Sequence, residues 1–126
     1  MITKDSKIIL IADDDPFFRA KISDIIVEAG HKVRLAKDGT EAINEIISAK
    51  GALNLILLDL QMPSLDGFGV LKWMHDNGHR AKPPALVVTG IEQPWNATDT
   101  LKKLGAAGLI AKTFAPEELI FKIGRA

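Results

Sequence analysis

Short apolar runs alternate along the chain with stretches of helical period. The runs are Ile8 to Ala12, Lys32 to Ala36, Leu53 to Leu58, Ala85 to Thr89 and Gly108 to Ala111. Four are nearly continuous in Ile, Leu and Val, the pattern of parallel strands buried on both faces. The second, from His31 to Ala36, alternates charged with apolar residues. It has one wet side, which places it at a sheet edge.

Between the runs the apolar spacing becomes helical. Phe18, Ile22, Ile25, Ile26 and Ala29 form a first stripe, opened by Asp15 as N-cap with Pro16 at N1 and closed by Gly30. Ile43, Ile46 and Ile47 mark a second helix; Phe68, Leu71 and Met74 a third; Ala97, Leu101 and Leu104 a weaker fourth. Pro116, Glu117 and Glu118 open a fifth, with Leu119, Ile120 and Ile123 inward. Strict alternation of strand and helix predicts an α/β protein, a (βα)5 doubly wound parallel five-stranded sheet with helices on both faces. With the second strand at an edge, the expected strand order is 2-1-3-4-5, the flavodoxin-like arrangement.

Composition narrows the function. The length of 126 residues suits one domain over residues 1–126. Hydrophobic residues are 47% and charged residues 25%, which excludes disordered and collagenous classes. Sixteen Lys and Arg balance sixteen Asp and Glu, so no basic field exists to hold nucleic acid or an anionic membrane. Cys is absent, which removes disulfides, thiolate metal sites and Cys nucleophiles. No apolar run approaches the length of a membrane span. Residues Met1 to Lys7 carry no apolar signal core, and the expected location is the cytoplasm.

In a doubly wound sheet, ligands gather beyond the carboxyl ends of the strands, where the order switches between strands one and three. Strand one delivers Asp13, Asp14 and Asp15 there, strand three Asp59, strand four Thr89 and strand five Lys112. Carboxylates so close together repel, and a hard divalent cation such as Mg²⁺ relieves them. A carboxylate beside such a metal is also a nucleophile toward phosphorus. A lysine and a hydroxyl suit the remaining phosphoryl oxygens. The implied chemistry is phosphoryl transfer onto Asp59. Asp15 is accounted for by the helix cap, and Asp66-Gly67 by a turn and helix start. His31, His75 and His79 have no partner pattern and read as surface residues. Trp73 reads as partly buried and Trp95 as a cap on the fourth helix.

Over about residues 6 to 124 the chain resembles the receiver domain of two-component response regulators. The matching pieces are Ile-Leu-Ile-Ala-Asp13-Asp14-Asp15-Pro16, Leu-Leu-Asp59-Leu-Gln-Met62-Pro63-Ser-Leu-Asp66-Gly67, Val-Val-Thr89-Gly90 and Ala-Lys112. The resemblance implies a phosphoacceptor switch. A sensor histidine kinase or phosphotransfer protein would donate phosphate from His to Asp59, changing affinity for an effector domain or partner protein that the sequence does not name. It further implies that Asp14 binds Mg²⁺ directly, Asp13 through water, and that the Gln61 backbone carbonyl and Asp59 complete the protein ligands. Such a domain catalyses only its own phosphorylation and dephosphorylation. A phosphorylation-dependent homodimer and excision from a longer regulator stay open.

Two positions depart from the family. Leu109 stands where Tyr or Phe is usual, and Thr113 where proline is usual. The family's Lys–Pro bond is usually cis. A secondary amide makes cis cost about 2.5–4 kcal/mol, so Lys112–Thr113 is expected trans. Two other functions remain beside the switch. One is a receiver-like docking domain that works without phosphate. The other is a small Mg²⁺-dependent phosphatase of the haloacid dehalogenase type, imitated by Asp13-x-Asp15, although Phe17 stands where Thr or Val would be expected.

Overall fold

A computed structural model of the chain describes residues 6–79, 82–90 and 97–125. Five strands and five helices alternate: β1 Ile8–Ala12, α1 Pro16–Glu28, β2 Lys32–Ala36, α2 Gly39–Ala49, β3 Leu55–Asp59, α3 Gly67–Asp76, β4 Ala85–Thr89, α4 Ala97–Lys103, β5 Gly108–Ala111 and α5 Pro116–Arg125. All strand pairs are parallel, and the order is β2-β1-β3-β4-β5. The flavodoxin-like expectation holds, with β2 at an edge.

Side chains alternate across each strand, and the buried residues divide into two cores. Ile9, Ile11, Leu55, Leu57, Leu86, Val88 and Ile110 meet α1 and α5 through Ile22, Ile26, Leu119 and Ile123. Leu10, Ile56, Leu58, Ala85 and Val87 meet α2, α3 and α4 through Ile46, Leu71, Met74 and Leu101. Burial on both faces explains why the central runs lack polar positions.

Five details differ from the sequence reading. On α1, Ala29 is exposed and is the C-cap rather than part of the inward stripe, and on α5 Ile120 is only half-buried beside the buried Leu119 and Ile123. The third strand starts at Leu55 rather than Leu53, because Asn54 clamps the entry. Its side-chain oxygen accepts from the Ile8 N–H at 2.8 Å, and its own N–H donates to the Ile8 carbonyl at 2.8 Å. On α2 the inward stripe is Ala42, Ile46 and Ala49, and Ile47 is 55% exposed. His31 is not a plain surface residue: its Nδ1 accepts the Lys7 N–H at 3.0 Å, tying the N-terminal segment to the start of β2. His75 is exposed beside Asp76, and His79 stacks on the partly buried Trp73 at 5.2 Å between centroids. Trp95 lies outside the described residues.

Candidate functional site

Each strand end and the turn after it place one functional group. β1 runs into Asp13, whose N–H still donates to the Ala36 carbonyl at 3.1 Å. This extra bond beside β2 keeps the Asp13 backbone in line with the sheet. The chain then turns into α1. Asp15 is the N-cap, its carboxylate accepting from the Phe17 and Phe18 N–H groups at 3.0 and 3.4 Å. That leaves Asp14 exposed at the turn. Asp15 faces the helix, which removes the second aspartate that a phosphatase-like Asp-x-Asp pair would need.

β3 delivers Asp59, and Gly67 shapes the ground beneath it. The Gly67 N–H donates to the Leu60 carbonyl at 3.0 Å. A Cβ on Gly67 would collide with the Asp59 carbonyl oxygen and stand 2.9 Å from the Leu60 Cα. Only glycine lets the start of α3 sit against the end of β3. Asp66 caps α3 by accepting the Gly69 N–H at 2.9 Å, as the sequence predicts. Asp14, Gln61, Met62, Pro63 and Asp66 line the depression between these turns.

β4 ends in buried Thr89, and β5 continues to Lys112. The Lys112 N–H donates to the Thr89 carbonyl at 2.9 Å, fixing the root of the lysine beside the threonine. Among the described residues the one cis peptide bond is Lys82–Pro83, so Lys112–Thr113 is trans, as expected. Leu109 is half-buried and packs with the α2–α3–α4 core. It fills this part of the face with aliphatic volume.

The side chains converge. Asp13 and Asp59 are 2% and 4% exposed. Carboxylate oxygens of Asp13, Asp14 and Asp59 all lie within 4.8 Å of one another. Lys112 Nζ sits 3.0 Å from Asp13 Oδ2 and 3.4 Å from Asp59 Oδ2. Asp13 Oδ1 accepts the Asp15 N–H at 2.9 Å, and Asp59 Oδ1 accepts the Gln61 N–H at 3.2 Å. Asp13 Oδ2 is buried without a well-aligned hydrogen bond, and it meets the Lys112 ammonium as an ion pair at 3.0 Å.

Three carboxylates thus face one ammonium. Burial, the largest effect, raises the Asp59 carboxyl. The Asp13 charge adds to this, while the Gln61 N–H and Lys112 pull the other way. Burial lowers the Lys112 ammonium, but Asp13 and Asp59 together outweigh it and its pKa is raised. A buried oxygen without a well-aligned hydrogen bond, in a cluster with excess negative charge, suits a hard divalent cation with oxygen ligands. The residues present fit that group.

Two neighbours were not singled out as site residues in the sequence. Arg19 Nη1 donates to the Asp13 carbonyl at 2.6 Å. Phe18 lies under the lysine, its ring centroid 4.6 Å from Lys112 Nζ. The available signal was their position in the first turn of α1, where side chains lean back toward the helix N-terminus and hence toward the strand end.

A five-stranded sheet of this order, with acidic side chains gathered at its switch point and a lysine beside them, is the arrangement of a receiver-type domain. Residues 9–124 match the response regulator receiver domain, and the chain belongs to that family. It is 30% identical over 115 residues to the transcriptional regulatory protein DltR of Streptococcus agalactiae, covering 91% of this chain and 49% of that protein. It is 33% identical over 115 residues to the probable transcriptional regulator ycf27 of Porphyridium aerugineum, covering 91% and 45%. The chain spans about half the length of the curated relatives it matches. Among solved structures, the chemotaxis response regulator CheY4 of Vibrio cholerae superposes with a TM-score of 0.86 at 29% identity, over 95% of this chain and 98% of that one. The Francisella response regulator 1452 receiver domain gives 0.84 at 28% identity, over 95% of each chain. Receiver domains are the phosphoacceptor switches of two-component systems. They are signalling modules, not turnover enzymes, and their partners are histidine kinases. Among the described residues no helix is long and apolar enough to cross a membrane.

Proposed function

We propose that Asp59 is the phosphoacceptor, receiving its phosphoryl group from a phosphohistidine of a sensor kinase or phosphotransfer protein. The observation that carries this is the convergence of Asp13, Asp14 and Lys112 on one buried carboxylate at the switch point. Asp13, Asp14, Asp59 and the Gln61 backbone carbonyl are the residues that would hold Mg²⁺. When bound, the metal supplies positive charge to the phosphoryl oxygens.

One Asp59 oxygen attacks phosphorus, and the donor's N–P bond breaks with its electron pair returning to the imidazole. Lys112 neutralises a second phosphoryl oxygen from the β5 side. The Thr89 hydroxyl donates to a third from the β4 side. Hydrolysis reverses the modification when water replaces the donor, so the domain's catalysis acts only on itself. Residues 1–126 form one receiver unit. Its output is a change in affinity for an effector domain, a partner protein or a second copy of the chain. The proposed site of the exchange is the cytoplasm.

The test is intact-mass labelling with Mg²⁺ and a small acyl phosphate. The wild type should gain one phosphoryl group and Asp59→Asn none. Equal labelling of both would overturn the assignment, and labelling of neither would favour a domain that docks without phosphate.

A further inference from the structure

Lys112 carries its ammonium on a flexible stem, and a long stem needs more than one contact to hold its end in place. Two contacts are with Asp13 and Asp59, and both carboxylates are needed elsewhere once a cation and a phosphoryl group arrive. The third is of another kind. The Phe18 ring lies with its centroid 4.6 Å from Nζ, within the range at which a ring face attracts a cation.

The ring is itself held. Phe18 meets Phe114 edge to face, at 5.9 Å between centroids and 61° between planes. Phe114 is buried, and its N–H donates to the Ala111 carbonyl at 3.0 Å, in the turn that carries Lys112. The contacts therefore close a loop: the turn after β5 fixes Phe114, Phe114 supports Phe18, and Phe18 faces the ammonium delivered by that turn. On the other side of the stem, a Cβ on Gly90 would stand 3.3 Å from Lys112 Cδ, so the stem already lies close to the backbone there.

We propose that Phe18 is a positioning residue for phosphoryl transfer: its ring face holds the Lys112 ammonium over the acidic cluster through a cation–π contact that the incoming metal and phosphoryl group do not compete for. This rests on the proposed role of Lys112 at Asp59. Phe18 touches no reacting atom and acts only through the lysine.

The test has a geometric and a kinetic readout, with Phe18→Leu, Phe18→Met and Phe18→Tyr. Leu and Met keep apolar volume without a ring face; Tyr keeps the face. In NMR spectra of the metal-free protein, the Lys112 Hε protons should be shifted upfield by the ring in the wild type and in Phe18→Tyr, and should return toward ordinary lysine values in Phe18→Leu and Phe18→Met. With Mg²⁺ and a small acyl phosphate, Phe18→Leu and Phe18→Met should load Asp59 about two- to fivefold more slowly, the size a cation–π contact carries. Phe18→Tyr should restore the rate. An unshifted Lys112 in the folded wild type would overturn the inference. So would equal rates for Phe18→Tyr and the ringless variants, since packing volume alone would then explain the effect. If the wild type itself takes no phosphate, the acceptor assignment fails, and the Lys112 shift alone decides whether Phe18 holds the lysine.

Discussion

Asp13, Asp14 and Asp15 are consecutive, yet the fold gives them three different tasks. Asp13 is buried in the cluster, Asp14 sits at the exposed rim within reach of the same point, and Asp15 caps α1. Their variants should therefore separate. Asp15→Ala should lower stability by about 1 kcal/mol, the usual cost of losing an N-cap, and leave Mg²⁺ affinity near that of the wild type. Asp14→Ala should do the reverse. Titration of each variant with Mg²⁺, followed by thermal unfolding, checks both; equal losses of affinity would make Asp15 a ligand. Asp59 has its own signature. Burial first, then the Asp13 charge, raises its carboxyl, so the fold disfavours the ionised form. The associated stability is present below the unfolded carboxyl range and is lost as pH rises through the raised value. Without metal at neutral pH, Asp59→Asn should melt higher than the wild type. A lower melting temperature would show that Lys112 and the Gln61 N–H outweigh burial. Gly67→Ala should do harm without touching any charge, because the added Cβ meets the Asp59 and Leu60 backbone. Slower phosphoryl loading together with a lower Tm is the expected outcome.

Elements are legible where the apolar pattern matches the faces that are packed. The runs of β1, β4 and β5 match the sequence reading, because both faces of those strands pack on helices, and the α1 stripe matches through Phe18, Ile22, Ile25 and Ile26, whereas Ala29 is exposed as the C-cap. The start of β3 was misread because Leu53 is buried like a strand residue while Asn54 makes the turn. On α2 a three-isoleucine count hid the real stripe, in which Ala42 and Ala49 face the core and Ile47 faces water. His31 was missed because its partner is a backbone N–H far along the chain, a contact that leaves no sequence pattern. Burial first, then the charge of Lys7, lowers its pKa, so the neutral ring is the folded form. Its contribution to stability is present above the ordinary histidine range and is lost as pH falls through that range toward the lowered value. Protonation at Nδ1 would also remove the acceptor for Lys7. Between pH 7 and 5 the wild type should therefore lose more stability than His31→Gln. Parallel Tm profiles for the two proteins would rule out a titrating role for His31.

For the whole molecule, the two cores position the site by fixing the heights of the strands. Ile22, Ile26, Leu119 and Ile123 are all but inaccessible between α1, α5 and the sheet. Ile26→Ala should cost about 2–5 kcal/mol in denaturant unfolding, through lost burial and a residual cavity. A cost near zero would mean that the helix face repacks freely. The site residues were legible together rather than singly: each aspartate had an ordinary explanation, and only the strand order brought them to one edge. What the sequence did not disclose is what lies around them, the aromatic and guanidinium contacts of Phe18 and Arg19, which depend on the angle at which α1 leaves β1.

The covalent phosphate is expected on Asp59. Phosphorylating the protein with Mg²⁺ and an acyl phosphate, and then reducing it with borohydride, converts an aspartyl phosphate to homoserine at the position that carried it. Peptide sequencing should find homoserine at residue 59 alone. Homoserine at residue 13 or 14, or a phosphate that resists reduction because it sits on Thr89 or a histidine, would contradict the account.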